Sequence, residues 1–473
     1  MAGAFSWALR LRVHAGGKRR RGRLVALAAV VTVAAPPGAL AQVLPDASWH
    51  LVGELHDPSF SGVAVPLSNG RALLTGSGET NRDVLLYDPA RGLVSATDAP
   101  APLNMHIGAP LDDGRRALVC GGASEDFFAL AKRCFVYDPT RDGWGEVASL
   151  PSPRFFLYSN PAATMPDGRV IVIGGSTPED RYGRASVPGF GEFGLYVASR
   201  TTLLFDPTRQ TVLADGRVLP GAWSTGAPMP TTRVFGTHAP GFTGGAIALD
   251  APRSCGRVGH TVVALRDGRV VVAGGREYNP GLYYGVAPID LYDPRLDLWT
   301  RVAELPPIPN DGDGGYGGRG FAGVTLLQSG EVLIAGGTAT RLIEKTSPTG
   351  AVTFRLGGTA PPRRSSVLFD PIAGLVHRVG NLNVGRLFAL APPWREGGGA
   401  FAIGGWSAIR DRPTRSEVFD PTVESWSLLP VEPAPAVDGG PRLGSGLSDG
   451  TVLTWSVVDG PAPAVVKTLR PSP

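Results

Sequence analysis

One short pattern returns along most of this chain and limits what it can fold into. Five segments read almost alike: Asp113-Gly-Arg-Arg-Ala-Leu-Val-Cys-Gly-Gly122, Asp167-Gly-Arg-Val-Ile-Val-Ile-Gly-Gly175, Asp267-Gly-Arg-Val-Val-Val-Ala-Gly-Gly275, Ser329-Gly-Glu-Val-Leu-Ile-Ala-Gly-Gly337 and Gly398-Gly-Ala-Phe-Ala-Ile-Gly-Gly405. Looser copies at Asn69–Gly78 and Asp449–Trp455 bring the total to seven. Each is a turn, a short strand and a glycine pair. The strand cores are apolar at consecutive positions, which requires cover on both faces of a sheet. Small sheets stacked face to face around an axis provide that cover. With 65 Gly and 44 Pro spaced between these runs, an all-helical fold is excluded.

Two further markers follow each glycine pair. The first is an aromatic before Asp-Pro, at Tyr87, Tyr137, Phe205, Tyr292, Phe369 and Phe419. Proline cannot donate to a strand ladder, so each Asp-Pro is expected to end a strand and open a turn. The second is a tryptophan, in Trp144-Gly-Glu-Val-Ala-Ser-Leu150, in Trp299-Thr-Arg-Val-Ala-Glu-Leu305 and, more loosely, at Trp223 and Trp426. One unit therefore holds four strands. Glycine pair, aromatic-Asp-Pro, tryptophan and then an arginine before the next inner strand together resemble the kelch repeat, whose units are propeller blades. The resemblance covers essentially the whole chain after residue 41, and it implies an all-β, seven-bladed β-propeller of four-stranded antiparallel blades. Blades one and five depart from it, with Gly92-Leu-Val94 and Gly374-Leu-Val376 where tryptophan is expected, and are expected to pack less tightly at the rim.

The chain ends give an independent reason for a closed ring. The last unit, 442–469, holds three strands, and the missing form stands at the other end as Trp49-His-Leu-Val-Gly-Glu-Leu55. A strand over 48–56 completing the last blade removes both sheet edges. The spacing between Gly174 and Gly274 is double, but one aromatic-Asp-Pro lies there, and residues 232–256 are too few for an eighth blade.

In such a blade the connection from strand two to three and the one to the next blade share an end. Extra length falls mostly there: 176–200, 231–257, 276–289, 307–318 and 338–364. The opposite end keeps tight turns apart from an insertion around Gln210–Pro220. Loops on a rigid scaffold are where binding residues usually sit. Tyr182, Phe190, Phe193, Tyr196, Tyr278, Tyr283, Tyr284 and Tyr316 are therefore candidates for contact with a glycan or protein, or for packing the loops onto the ring. Arg154, Arg257, Arg319, Arg386 and Arg442 precede inner strands. They suit a bidentate grip on an anion at the channel mouth, or hydrogen bonds to carbonyls of the neighbouring blade.

Kelch propellers include copper-radical oxidases similar to galactose oxidase, whose site needs a tyrosine followed by histidine, and no Tyr-His pair occurs here. His106, His238 and His260 are the histidines within reach of the long-loop face, and packing is the expected role of His260. Asn310-Asp-Gly-Asp-Gly-Gly315 has the oxygen donors of a calcium loop but lacks its closing acid. No nucleophile elbow, phosphate loop, dinucleotide fingerprint or His-Glu-x-x-His is present. No cofactor and no metal are expected. Cys120 ends the second strand of blade two and Cys134 begins its third, so the two are expected to lie opposite each other, as a disulfide or as two buried thiols, with Cys255 left over.

The first 41 residues hold seven of the 45 bases and none of the 41 acids, so the remainder carries a formal charge of −3 rather than +4. No nucleic-acid partner is expected. A basic start, an apolar run from Leu24 to Ala35 and Ala39-Leu-Ala41 form a secretory leader, so export to periplasm or medium is expected, with one propeller over 42–473. No membrane span is expected after the leader, and the ring is expected to be a monomer. These readings favour an exported, non-catalytic recognition module using the long-loop face. The alternatives are a sugar-modifying or other propeller enzyme with a channel-mouth site, and a structural part of an envelope or extracellular assembly.

Overall fold

A computed structural model describes residues 47–55, 62–77, 82–123, 129–156, 160–187, 191–196, 198–230, 256–279, 282–285, 287–306, 318–338, 341–346, 352–357, 362–395, 397–405, 407, 415–430, 432, 442–456 and 464–471. The chain divides into two units, Met1–Gln42 and Val43–Pro473, and every described residue belongs to the second. The expected leader, Phe190, Tyr316, His238, Cys255 and the 310–315 loop lie outside the described residues.

The strands form seven antiparallel blades. Blade one runs Val63–Pro66, Ala72–Ser77, Asp83–Asp88 and Gly92–Ser95; blade two runs Ile107–Leu111, Arg116–Cys120, Cys134–Asp138 and Gly143–Val147. Blade three holds Ala162–Thr164, Val170–Ile173, Thr202–Val212 and Val218–Gly226; blade four holds Arg257–Ala264, Val270–Asn279, Pro288–Asp293 and Leu298–Glu304. In blade five the strands are Gly323–Leu326, Val332–Ala335, Ser366–Asp370 and Leu375–Val379. Blade six has Ala400–Ala402, Glu417–Asp420 and Ser425–Leu428, and its innermost segment pairs through the single bridges Leu390–Ile403 and Pro393–Ala400. Blade seven joins Arg442–Gly446, Val452–Ser456 and Ala464–Pro471 to Ala47–Leu55 from the other end of the chain. Trp49 pairs with Leu469 in that closure, with a bulge between Leu51 and Gly53.

The unbroken apolar runs of the second strands are buried, as such runs require: Val170–Ile173, Val332–Ala335 and Ala117–Cys120 are at most 5% exposed. Successive blades share cores; Val262, Val270 and Tyr292 of blade four pack with Ile171, Ile173 and Leu204 of blade three. The glycine pair makes this approach possible. A Cβ on Gly274 (φ +66°) would lie 2.8 Å from the carbonyl oxygen of Arg319 in the next blade, and on Gly336 (φ +67°) 2.5 Å from that of Arg386.

The outer markers work as cross-strand pairs. Tyr137 faces Trp144, Phe205 faces Trp223, Tyr292 faces Trp299 and Phe419 faces Trp426, with ring centroids 5.0–5.3 Å apart. Each indole N–H then reaches the preceding blade or the linker leaving it: Trp144 donates to Thr97 O, Trp223 to Ala148 O, Trp299 to Ala227 O and Trp426 to Ser366 Oγ. In blades two and four an aspartate after the turn completes the clasp. Asp297 Oδ1 accepts from Tyr292 OH at 2.7 Å and from the Ala227 amide at 2.6 Å, and Asp142 does the same for Tyr137 and Thr97. In blades one and five Tyr87 faces Leu93 and Phe369 faces Val376. Tyr87 and Phe369 are nonetheless as buried as the aromatics opposite tryptophan, so the expected loosening does not reach them.

One Asp-Pro behaves differently from expectation. In blade three the strand continues through Asp206-Pro207, with a bulge between Asp206 and Gln210, and pairs on to Val212–Val218. A bulge releases the proline from the ladder, so the strand need not end. The Gln210–Pro220 insertion is thus a strand extension.

Candidate functional site

The end that carries the connections from strand two to three holds three β-hairpins, from blades three, four and five. In blade three, Arg181–Val187 pairs with Gly191–Tyr196. In blade four the second strand runs on to Asn279 and turns back through Leu282–Gly285. In blade five, Arg341–Thr346 pairs with Val352–Gly357. The hairpins of blades four and five join by a bridge between Leu282 and Ile343, so blade four's sheet extends into its neighbour's insertion. The blade-three strand Arg181–Val187 lies beside Val352–Gly357. Hairpins from three consecutive blades therefore converge.

Most of the candidate aromatics sit on these hairpins. Register sets Tyr278 opposite Tyr283 and Tyr284 opposite Glu277. Tyr182 lies at the bulge between Arg181 and Gly183, Phe193 opposite Ala185 and Tyr196 opposite Arg181.

Four of the five candidate arginines are buried: Arg154, Arg257, Arg319 and Arg386 are 2%, 0%, 0% and 1% exposed. Each clamps the second strand of its own blade to the third. Arg257 Nη1 donates to Gly274 O at 3.3 Å and Pro288 O at 2.9 Å; Arg319 Nη1 donates to Gly336 O and Ser365 O. Arg386 donates to Ala402 O, Gly404 O and Arg415 O, and Arg154 to Gly174 O and to the hydroxyls of Thr201 and Ser152. Arg442 is different. It opens an inner strand, opposite Ser456, at the position that histidine fills in blades two and four.

Sequence reasoning missed the acids that meet two of these clamps. Asp290 and Glu417 are fully buried, and they ion-pair with Arg257 and Arg386. Asp290 also accepts from Arg301 at 3.1 Å, and Glu417 from the amides of Asn383 and Val384. Burial lowers the pKa of Arg386 while Glu417 raises it. The signal was an acid two residues before the strand-three aromatic, among apolar neighbours. Leu203 and Val367 stand there in blades three and five.

In blade two Leu103 stands at the clamp position, and a disulfide joins Cys120 to Cys134 with Cα atoms 4.2 Å apart. These two residues are register partners at the same place on strands two and three. The covalent link thus does the arginine's work.

His106 and His260 occupy equivalent sites, each against the first glycine of the preceding blade, Gly76 and Gly174. His106 Nε2 lies 2.7 Å from Thr75 Oγ1. Burial lowers both histidines to about 3, so they are neutral at physiological pH. Among the described residues no three His, Cys, Asp or Glu gather into a metal-binding group. No helix among them is long and apolar enough to cross a membrane.

The opposite end is less plain than its short turns imply. Val212, Val218, Leu296, Leu298, Ile372, Leu375 and Val423 are exposed at or beside the turns between strands three and four of blades three to six.

No family model matches the chain, and no curated protein does either. Solved structures do. A structure described as a novel fungal alcohol oxidase with catalytic diversity among the AA5 family, in complex with copper, is 16% identical over 90% of this chain and 76% of its own, with a TM-score of 0.52. The structure of YjhT is 16% identical over 80% of this chain and all of its own, with a TM-score of 0.48. At this identity the likeness to the oxidase shows the fold. The kelch-type markers agree with that ring.

Proposed function

We propose that this protein is an exported, non-catalytic recognition module that binds a glycan or a protein partner through the hairpin-bearing end of a kelch-type propeller. One observation carries the reading. Blades three, four and five each extend at the same end, and the extensions, whose strands carry most of the candidate aromatics, are joined by strand pairing or lie side by side on the ring. The charged residues first in line for chemistry at the mouth, the clamp arginines, are instead consumed in holding strands together. The leader-like first 41 residues and the Cys120–Cys134 disulfide support an oxidising compartment.

The test is a binding screen on glycan and surface-protein arrays with the purified protein, beside a variant whose 341–357 hairpin is replaced by a short Gly-Ser turn. Binding lost with the hairpin supports the reading. Binding unchanged by the replacement, or stoichiometric copper accompanied by turnover of an alcohol, overturns it.

A further inference from the structure

The hairpins have two chemically different faces, and register assigns residues to each. Strand alternation sets Arg341, Ile343 and Lys345 on one face, and pairing adds Arg355 opposite Ile343. The other face of the same hairpin takes Leu342, Leu356, Phe354 and Val352, with Glu344. The Leu282–Ile343 bridge carries this division into the blade-four hairpin. Leu282 shares the face of Ile343, so Tyr284 and its partner Glu277 do too, whereas Tyr278, Tyr283 and Arg276 fall on the other face, where one base and one acid stand among more apolar residues. One face thus brings together three bases, one acid and a tyrosine, in a chain whose residues beyond the leader sum to −3.

We infer that this face, carrying Arg341, Lys345, Arg355 and Tyr284, binds an acidic polysaccharide, a chain of sugars bearing carboxylates or sulfates. The inference rests on the recognition reading above and narrows its ligand class. Arg341 and Lys345 stand four residues apart on one strand, about 13 Å, with Arg355 on the neighbouring strand between them. That spreads positive charge along a line, which suits a polymer with repeated anions better than a single one. Guanidinium forks bind carboxylate and sulfate through paired hydrogen bonds. A tyrosine in the same row offers a flat apolar surface for the C–H face of a sugar ring and a hydroxyl for its rim. Because the residues beyond the leader are net negative, a polyanion is favoured at this cluster of bases over the rest of the chain.

The test uses dextran sulfate and polygalacturonate against neutral dextran, with polyglutamate as an acidic polypeptide, on the wild-type protein and on the triple variant Arg341→Ser/Lys345→Ser/Arg355→Ser. Both acidic polysaccharides are expected to bind at low salt and to be released as sodium chloride rises, while dextran does not bind. The triple variant should bind about tenfold more weakly, the size expected for the loss of three weak ion pairs. Arg355→Lys, which keeps the charge, should retain most of the affinity and serves if the triple variant unfolds. The inference is overturned if neither acidic polysaccharide binds, if polyglutamate binds as tightly as they do, or if the folded triple variant binds unchanged. Hairpin-dependent binding of a neutral glycan or a protein alone would sink this inference and leave the recognition reading standing; binding of nothing through the hairpins would sink both.

Discussion

Blades four and six and blades three and five solve the same problem with different chemistry. All four use a buried arginine to hold strand two against strand three. In blades four and six the arginine also meets a buried carboxylate, Asp290 or Glu417, whereas Leu203 and Val367 stand at that place in blades three and five. Blade two replaces the clamp with a disulfide. The difference teaches that the geometric demand, joining two strands beside the glycine pair, belongs to the repeat, while the means is set blade by blade. It also ranks the blades by what removal would leave behind. A buried acid stripped of its arginine is costly, because the charge has no solvent to turn to.

Removing the clamp of blade six is therefore expected to have the largest effect. Arg386→Met strands Glu417 and should cost about 3–5 kcal/mol in urea unfolding, and Arg386→Met/Glu417→Leu should recover most of it. A double variant no better than the single would break the comparison. Opening the staple of blade two comes next: Cys120→Ala/Cys134→Ala removes a link spanning 14 residues and should cost about 3 kcal/mol. Alkylation followed by mass measurement, with and without reductant, checks the bond itself by a gain of two reactive thiols. In blade five, Arg319→Met should cost less than its blade-six counterpart, about 1–3 kcal/mol, since Val367 holds no charge to be stranded.

The two buried histidines sharpen the comparison through pH. Folded, they resist protonation down to about 3; unfolded, they take protons below about 6.5. The unfolded state thus binds more protons in that window, so stability is full above about pH 6.5 and declines as pH falls toward 3. Each histidine contributes about 1.4 kcal/mol per pH unit within it. His106→Gln should reduce the slope by about half, measured as unfolding free energy at pH 7, 6 and 5. The smallest effect is expected at the rim. Tyr292→Phe removes one hydrogen bond to the largely exposed Asp297 and should cost about 1 kcal/mol in thermal unfolding.

Much of the fold was legible because its signals are local and repeated. The glycine pairs mark where the next blade approaches, and the aromatic and tryptophan markers are cross-strand partners. The closing strand at Trp49 was visible as the fourth-strand form displaced to the wrong end of the chain. Register alone set Cys120 opposite Cys134, while the bond between them was left open against two buried thiols. The site was less legible. Arginines spaced one per blade have the spacing expected of residues lining a mouth, and nothing in that spacing tells a guanidinium facing solvent from one folded back onto carbonyls. Arg442 illustrates the same limit: its neighbours matched the pattern, but its place in the strand is that of a histidine elsewhere. Three of the long connections, read as loops, hold hairpins that pair within themselves, because these stretches lack the unbroken apolar runs and Asp-Gly turns that mark the blade strands.

By itself, the sequence determined the number of blades, the order of strands within each and the closure of the ring. Those depend on periodic apolar runs and turn residues, whose preferences act over a few neighbours. Only the tertiary structure decided which arginines would be buried, which would meet an acid, and which hairpin residues would share a face. These outcomes turn on what another strand supplies within hydrogen-bonding distance, and on whether desolvation is offset there, and neither is written in the spacing of the chain.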